Sequence, residues 1–141
     1  VRSAQQAREI VRAMAYAPLG GTRGYSVGHR ANQFGRIADY HRNARERQFL
    51  AVQIECETGV AHAAEIAAVE GVDALFVGPG DLSTNLGAMG NPNADHVQSA
   101  IAAVKTDADR YLADGFTMLA IGSDLGLLAR ASDALVAAFK R

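Results

Sequence analysis

The sequence predicts an α/β domain built from βαβ units, with parallel strands covered by helices and a functional mouth at the carboxyl ends of the strands. Three observations carry this. Apolar runs at residues 49–55, 74–77 and 116–121 are nearly continuous rather than strictly alternating, as parallel strands covered by helices are. Helical patterns fall between and after these runs, so strand and helix alternate along the chain. Glycine and acidic residues gather where the first two runs end, in "QIECETG" and "GPGD".

Taken in order, Ser3-Ala4-Gln5-Gln6 is a capping-box pattern and opens a helix through residues 7–14. Val1 then reads as the tail of a strand. Residues 18–28 carry Gly20, Gly21, Gly24 and Gly28 and form a loop. Residues 37–47 read as a polar-faced helix and 49–55 as the first strand. Thr58 is expected to cap a helix over 59–70, with Ala61, Ala64, Ile66 and Val69 on its buried side. A second strand at 74–77 ends in the Gly78-Pro79-Gly80-Asp81 turn, and one short helical turn follows at 81–86. A long helix is expected over 94–113, with Gly115 as its C′ residue, then a third strand at 116–121 and a final amphipathic helix at 124–139. Three strands do not close a barrel, since a complete (β/α)₈ barrel takes about 250 residues. The helical pattern over 94–113 also exceeds the usual length of about 11–12 residues. Two helices joined across a missing strand would give such a pattern.

The 141 residues suit one domain, and 49% hydrophobic with 21% charged residues is a globular composition. A net charge of −1 without a Lys/Arg-rich run argues against a nucleic-acid partner. No apolar stretch approaches the ~18 residues that span a bilayer, and no secretory signal is readable. A single cysteine excludes an intrachain disulfide. The expectation is a cytoplasmic protein without a membrane partner.

The candidate chemistry lies at the strand ends. Residues i and i+2 of a strand share a face, so Gln53 and Glu55 point the same way at the carboxyl end of the first strand. Asp81 follows 26 residues later, just past the next strand. Neighbouring strands lie about 4.8 Å apart, so the two carboxylates can converge. Side by side and unpaired they would repel; a divalent cation neutralises both. Oxygen ligands favour a hard ion, Mg²⁺ or Mn²⁺, and no His stands at zinc-ligand spacing in either motif. Gly78 and Gly80 allow close backbone approach, and the amides of Gly80 and Asp81 open a helical turn suited to an anion. Metal beside anion site suits a small 2-oxo acid, its carboxylate on the amides and its keto oxygen on the metal. A structural reading fits the same residues: Glu55 paired with an Arg, and Asp81 capping a short helix.

"VQIECETG" at 52–59, "EGVDALFVGPGDLS" at 70–83 and "LGAMGNP" at 86–92 resemble the HpcH/HpaI aldolases, metal-dependent pyruvate aldolases on a (β/α)₈ TIM barrel. "RGYSVGHRANQFGRIADY" at 23–40 and "AIGSDLGLLARASDAL" at 120–135 are similar to the branch acting on 2-dehydro-3-deoxyglucarate. The resemblance covers nearly the whole chain. It implies Glu55 and Asp81 as metal ligands for Mg²⁺ or Mn²⁺, with Co²⁺ also compatible. It implies Gln53 as a substrate contact, Gly80 and Asp81 as the binders of the substrate carboxylate, and a hexameric homo-oligomer. Gly80 replaces the Ala or Ser usual in the family, which preserves a backbone contact but not a hydroxyl one. The family's general-base His and its enolate-stabilising Arg fall before Val1, so no catalytic base is assigned here. "AIAAV" at 100–104 and "KTDADRYLADG" at 105–115 match two different family helices, so a segment is expected to be missing between residues 104 and 105 as well as before residue 1. The chain then reads as one partial TIM-barrel domain, its second half.

The lesser candidates have structural readings. His29, His41, His62 and His96 read as surface or structural, Cys56 as a packed core thiol on the face opposite Glu55, and Asp124 as the cap of the final helix. Arg23 or Arg30 could reach an acidic substrate. Met14, Met89 and Met118 read as packing residues. Two rivals stand beside the aldolase: a related lyase acting on malyl- or citryl-CoA, for which no basic cluster supplies an adenosine-phosphate pocket, and a non-catalytic truncated barrel.

Overall fold

The computed structural model describes the backbone of residues 1–113 and 136–137, and the side chains of residues 1–105 and 136–137. The expected strand at 116–121, the Gly115 cap, the final helix with Asp124, and Met118 lie outside the described residues. The described part is α/β. Helix α1 (Ala4–Met14) begins at Ser3, whose extended backbone (φ −155°, ψ 158°) places its Oγ to accept from Gln6 N at 3.2 Å. The reciprocal arm of the capping box lands one residue early, because Gln6 Oε1 accepts from Arg2 N at 2.8 Å.

Strands β1 (Ala51–Ile54) and β2 (Ala74–Val77) pair in parallel, with Ala51 beside Ala74 and Ile54 beside Val77. Between them the chain crosses back through α2 (Glu57–Ala61) and α3 (Ala63–Ala67). After β2 come α4 (Pro79–Asn85) and α5 (Asp95–Ala113). Leu50 O and Ile54 O accept from Ala74 N and Gly78 N on the β2 side. The alternation of a strand turns Gln53 O to the other edge, where it accepts from Val1 N. Val1 thus lies along the free edge of β1, as the reading of a strand tail requires.

Burial along β1 alternates, with Ala51 and Gln53 exposed and Val52 and Ile54 buried. Val52 and Ile54 join Ala7 of α1, Ala63 and Ile66 of α3, and Val104 of α5 in one core, with Val69 and Val72. Helices therefore cover one face of the β1–β2 pair. The opposite face carries Gln53 and, beside it, Phe76, which is 43% exposed.

Three sequence expectations are corrected. Residues 37–47 form turns and one short 3₁₀ turn (Arg45–Arg47), not a helix. Asp39 sits at φ +54°, which interrupts any helix, and Arg45 is drawn into bonds with Gln48 O and Gly71 O. The helix expected over 59–70 starts at Glu57 under a Cys56 cap rather than a Thr58 one, and steps at His62 (φ −111°, ψ 15°). There the His62 ring lies 2.8 Å from the Thr58 carbonyl that its own N–H also uses. The step turns Ala63 and Ala67 inward and leaves Ala61 exposed. Met89 is 83% exposed and packs nothing. Helix α5 is one continuous helix through residues 104 and 105, as the long helical pattern expected over 94–113 requires. No helix among the described residues is long and apolar enough to cross a membrane.

Candidate metal and substrate site

Strand β1 ends after Ile54, and Glu55 continues its polar face half-buried. Gly78, next after β2, lies directly against this face. A Cβ there would stand 2.8 Å from Gln53 Nε2, 2.8 Å from Glu55 Oε1 and 2.9 Å from Glu55 Cγ. The missing side chain of Gly78 is what lets Gln53 and Glu55 lie across the end of the neighbouring strand. Gly80 differs, since a Cβ on it would meet nothing within 4 Å. Its carbonyl accepts from Ser83 Oγ at 2.7 Å and Thr84 Oγ1 at 3.1 Å, tightening the first turn of α4.

Helix α4 begins with Pro79, whose φ and missing N–H suit a first helical position. Gly78 supplies no side-chain cap. The Gly80 and Asp81 amides fall in the first turn and have no intrahelical acceptor. Asp81 itself is exposed.

Glu55 and Asp81 line one open cavity of about 530 Å³, shared with Arg2, Cys56, Thr84 and Asn85, with Val1 beside Arg2. Asn85 Oδ1 accepts from Glu57 N at 3.3 Å, tying the end of α4 to the start of α2 around this cavity. Cys56 is buried, and its Sγ accepts from Gly59 N at 3.4 Å as the cap of α2. The donor set is two carboxylates. Among the described residues no cluster of three or more His, Cys, Asp or Glu exists. A hard cation that keeps waters and substrate oxygens in its remaining positions fits two carboxylates; a structural zinc site does not.

None of the four histidines lines the cavity. His29 Nδ1 accepts from Asn32 N and its ring stacks edge-on against Tyr40. His41 packs against Tyr25, and His96 Nε2 lies 3.3 Å from Leu86 O. Arg23 does not line the cavity; its guanidinium lies 4.7 Å above the Tyr16 ring with Nη1 buried and without a hydrogen-bond partner, and Arg30 is exposed and does not line the cavity either. The cavity's cation is Arg2, which the sequence reading passed over. The signal was present: a residue just after a strand tail lies at the same mouth as Glu55.

Carboxylates at the carboxyl ends of neighbouring parallel strands are where α/β proteins place ligand sites, in the βα loops. The chain belongs to the HpcH/HpaI aldolase/citrate lyase family, whose profile matches residues 1–108. It is 42% identical over 158 positions to a Klebsiella pneumoniae protein named 5-keto-4-deoxy-D-glucarate aldolase, covering 100% of this chain and 61% of that protein. Its fold is similar to an HpcH/HpaI aldolase/citrate lyase family protein of Burkholderia cenocepacia (TM-score 0.74, 29% identity, 96% of this chain and 61% of that one). It is also similar to an HpcH/HpaI aldolase of Desulfitobacterium hafniense (TM-score 0.67, 31% identity, 92% of this chain and 51% of that one). The chain thus spans about three fifths of the length of the curated relatives it matches.

Proposed function

We propose that this chain forms the metal- and substrate-binding part of a class II aldolase, on a (β/α)₈ barrel of which it supplies the second half. The enzyme cleaves a 2-oxo-3-deoxy sugar dicarboxylate to pyruvate and a small aldehyde. The observation that carries the reading is the shared cavity of Glu55 and Asp81 at the ends of β1 and β2. The name of the Klebsiella relative describes a substrate of this class, a keto group beside a carboxyl, then a CH₂, then a carbinol.

Glu55 and Asp81 would hold Mg²⁺ or Mn²⁺. When bound, the ion supplies Lewis-acid stabilisation of the negative charge that develops on the keto oxygen. Gly80 and Asp81 amides receive the substrate carboxylate, and Gln53 stands on the same face to donate from its amide. A base takes the proton of the C4 hydroxyl, the C3–C4 bond breaks, and its electron pair passes into the enolate of pyruvate as the aldehyde leaves. Protonation of the enolate at C3 completes pyruvate. We assign the base, a His, and an accompanying Arg to sequence before Val1, and a further strand to a segment between residues 104 and 105. The match to the Klebsiella protein runs over 158 positions against the 141 residues here, which supports the internal segment. The assembly would be a homo-oligomer.

The test is pyruvate release from 5-keto-4-deoxy-D-glucarate by the full-length protein, with and without EDTA. Turnover that stops in EDTA and returns with Mn²⁺ is expected. Turnover that persists without metal, or a lysine Schiff base trapped by borohydride, would establish a class I mechanism instead. A protein that binds Mn²⁺ and cleaves nothing would be the non-catalytic barrel.

A further inference from the structure

We propose that Arg2 is a specificity-determining residue that holds the distal carboxylate of a dicarboxylic 2-oxo acid, the end that departs with the aldehyde. The inference rests on the reading of Glu55 and Asp81 as a metal and 2-oxo-acid site.

Arg2 lines the same cavity as the two carboxylates. It is the cationic residue of that lining, and it forms no ion pair among the described residues, where the pairs are Arg42–Asp39 and Arg45–Asp73. Its backbone is fixed from two sides. Arg2 N donates to Gln6 Oε1 at 2.8 Å, and the preceding Val1 N donates to Gln53 O at the edge of β1. The backbone of Arg2 is therefore anchored beside the strand that carries Glu55, while its exposed guanidinium makes no hydrogen bond or ion pair among the described residues. A cavity of about 530 Å³ leaves ample room beyond a three-carbon acid bound at Glu55 and Asp81. A planar guanidinium engages a carboxylate through two parallel hydrogen bonds. A charge-assisted contact of this kind separates ligands that have the carboxylate from those that lack it by about tenfold to a hundredfold.

The experiment uses full-length, Mn²⁺-loaded protein and two inert probes of equal length, 2-oxoadipate and 2-oxohexanoate, which differ in the distal carboxylate. Calorimetry should show the parent binding 2-oxoadipate at least tenfold more tightly. Arg2→Ala should remove that preference while leaving 2-oxohexanoate and Mn²⁺ affinities unchanged, and Arg2→Lys should keep part of it. A preference that survives in Arg2→Ala overturns the assignment. So does an equal loss for both probes, or tighter Mn²⁺ binding with an unchanged ratio, which would make Arg2 a counter-charge to the carboxylates. If neither probe binds the Mn²⁺-loaded parent, the 2-oxo-acid reading fails, and the role of Arg2 fails with it.

Discussion

The two glycines of "GPGD", Gly78 and Gly80, do different things. Gly78 is needed for space: its absent Cβ would press on Gln53 Nε2 and Glu55 Oε1, both 2.8 Å away. These are far ends of flexible side chains, so Gly78→Ala should fold and instead displace the site, weakening Mn²⁺ binding at least tenfold by calorimetry. Unchanged affinity would show that Glu55 is not held in place by this contact. Gly80 faces open space within α4, so Gly80→Ala should leave metal affinity alone and stabilise by about 0.4–1 kcal/mol through loss of unfolded-state freedom. Gln53→Ala should raise KM or lower kcat while Mn²⁺ affinity stays near the parent value; a parallel loss of metal would make Gln53 a ligand. That Glu55 and Asp81 face one cavity was legible, because each follows the end of an apolar run in neighbouring strands. The place of Arg2 in that cavity was not, since it depends on Val1 pairing with Gln53 O across 52 residues.

Among the elements, β2, α4 and α5 follow local pattern closely, since apolar runs, Pro79 and the long periodic stretch each act within a few residues. Residues 37–47 do not, because what organises them is distant. Arg45 Nη2 donates to Gly71 O at 2.8 Å and lies 3.4 Å from Asp73 Oδ2. Asp73 Oδ2 in turn accepts from Leu50 N at 2.7 Å, locking the entrances of β1 and β2 together. No periodicity in one segment reports a partner 28 residues on. Asp73→Ala removes the acceptor for a backbone N–H and leaves Arg45 without its carboxylate. Because the pair is about one third exposed, the expected loss is about 1–2 kcal/mol, read from the urea midpoint at constant m-value. A loss below about 0.3 kcal/mol, within the range of ordinary surface substitutions, would show that the Arg45–Asp73 cluster does not hold these strands in register.

At the scale of the whole molecule, helices close one face of the β1–β2 pair and leave Gln53 and Phe76 on the other, the face that lines the interior in the proposed barrel. The cavity with Glu55 and Asp81 opens at the carboxyl end of that face, so the metal is expected to couple to folding. A ligand that binds only the folded state at a hundredfold excess over its Kd stabilises by about 2.7 kcal/mol, and Mn²⁺ at that level should raise Tm while EDTA reverses the shift. The measurement that tests the account most directly is calorimetric Mn²⁺ titration of the parent beside Glu55→Gln, which keeps shape and removes charge. The parent should bind one Mn²⁺, and Glu55→Gln should bind it at least a hundredfold more weakly, with excess metal restoring part of the activity. Equal Mn²⁺ affinity in the two proteins would contradict the central claim and leave Glu55 as a structural carboxylate at a strand end.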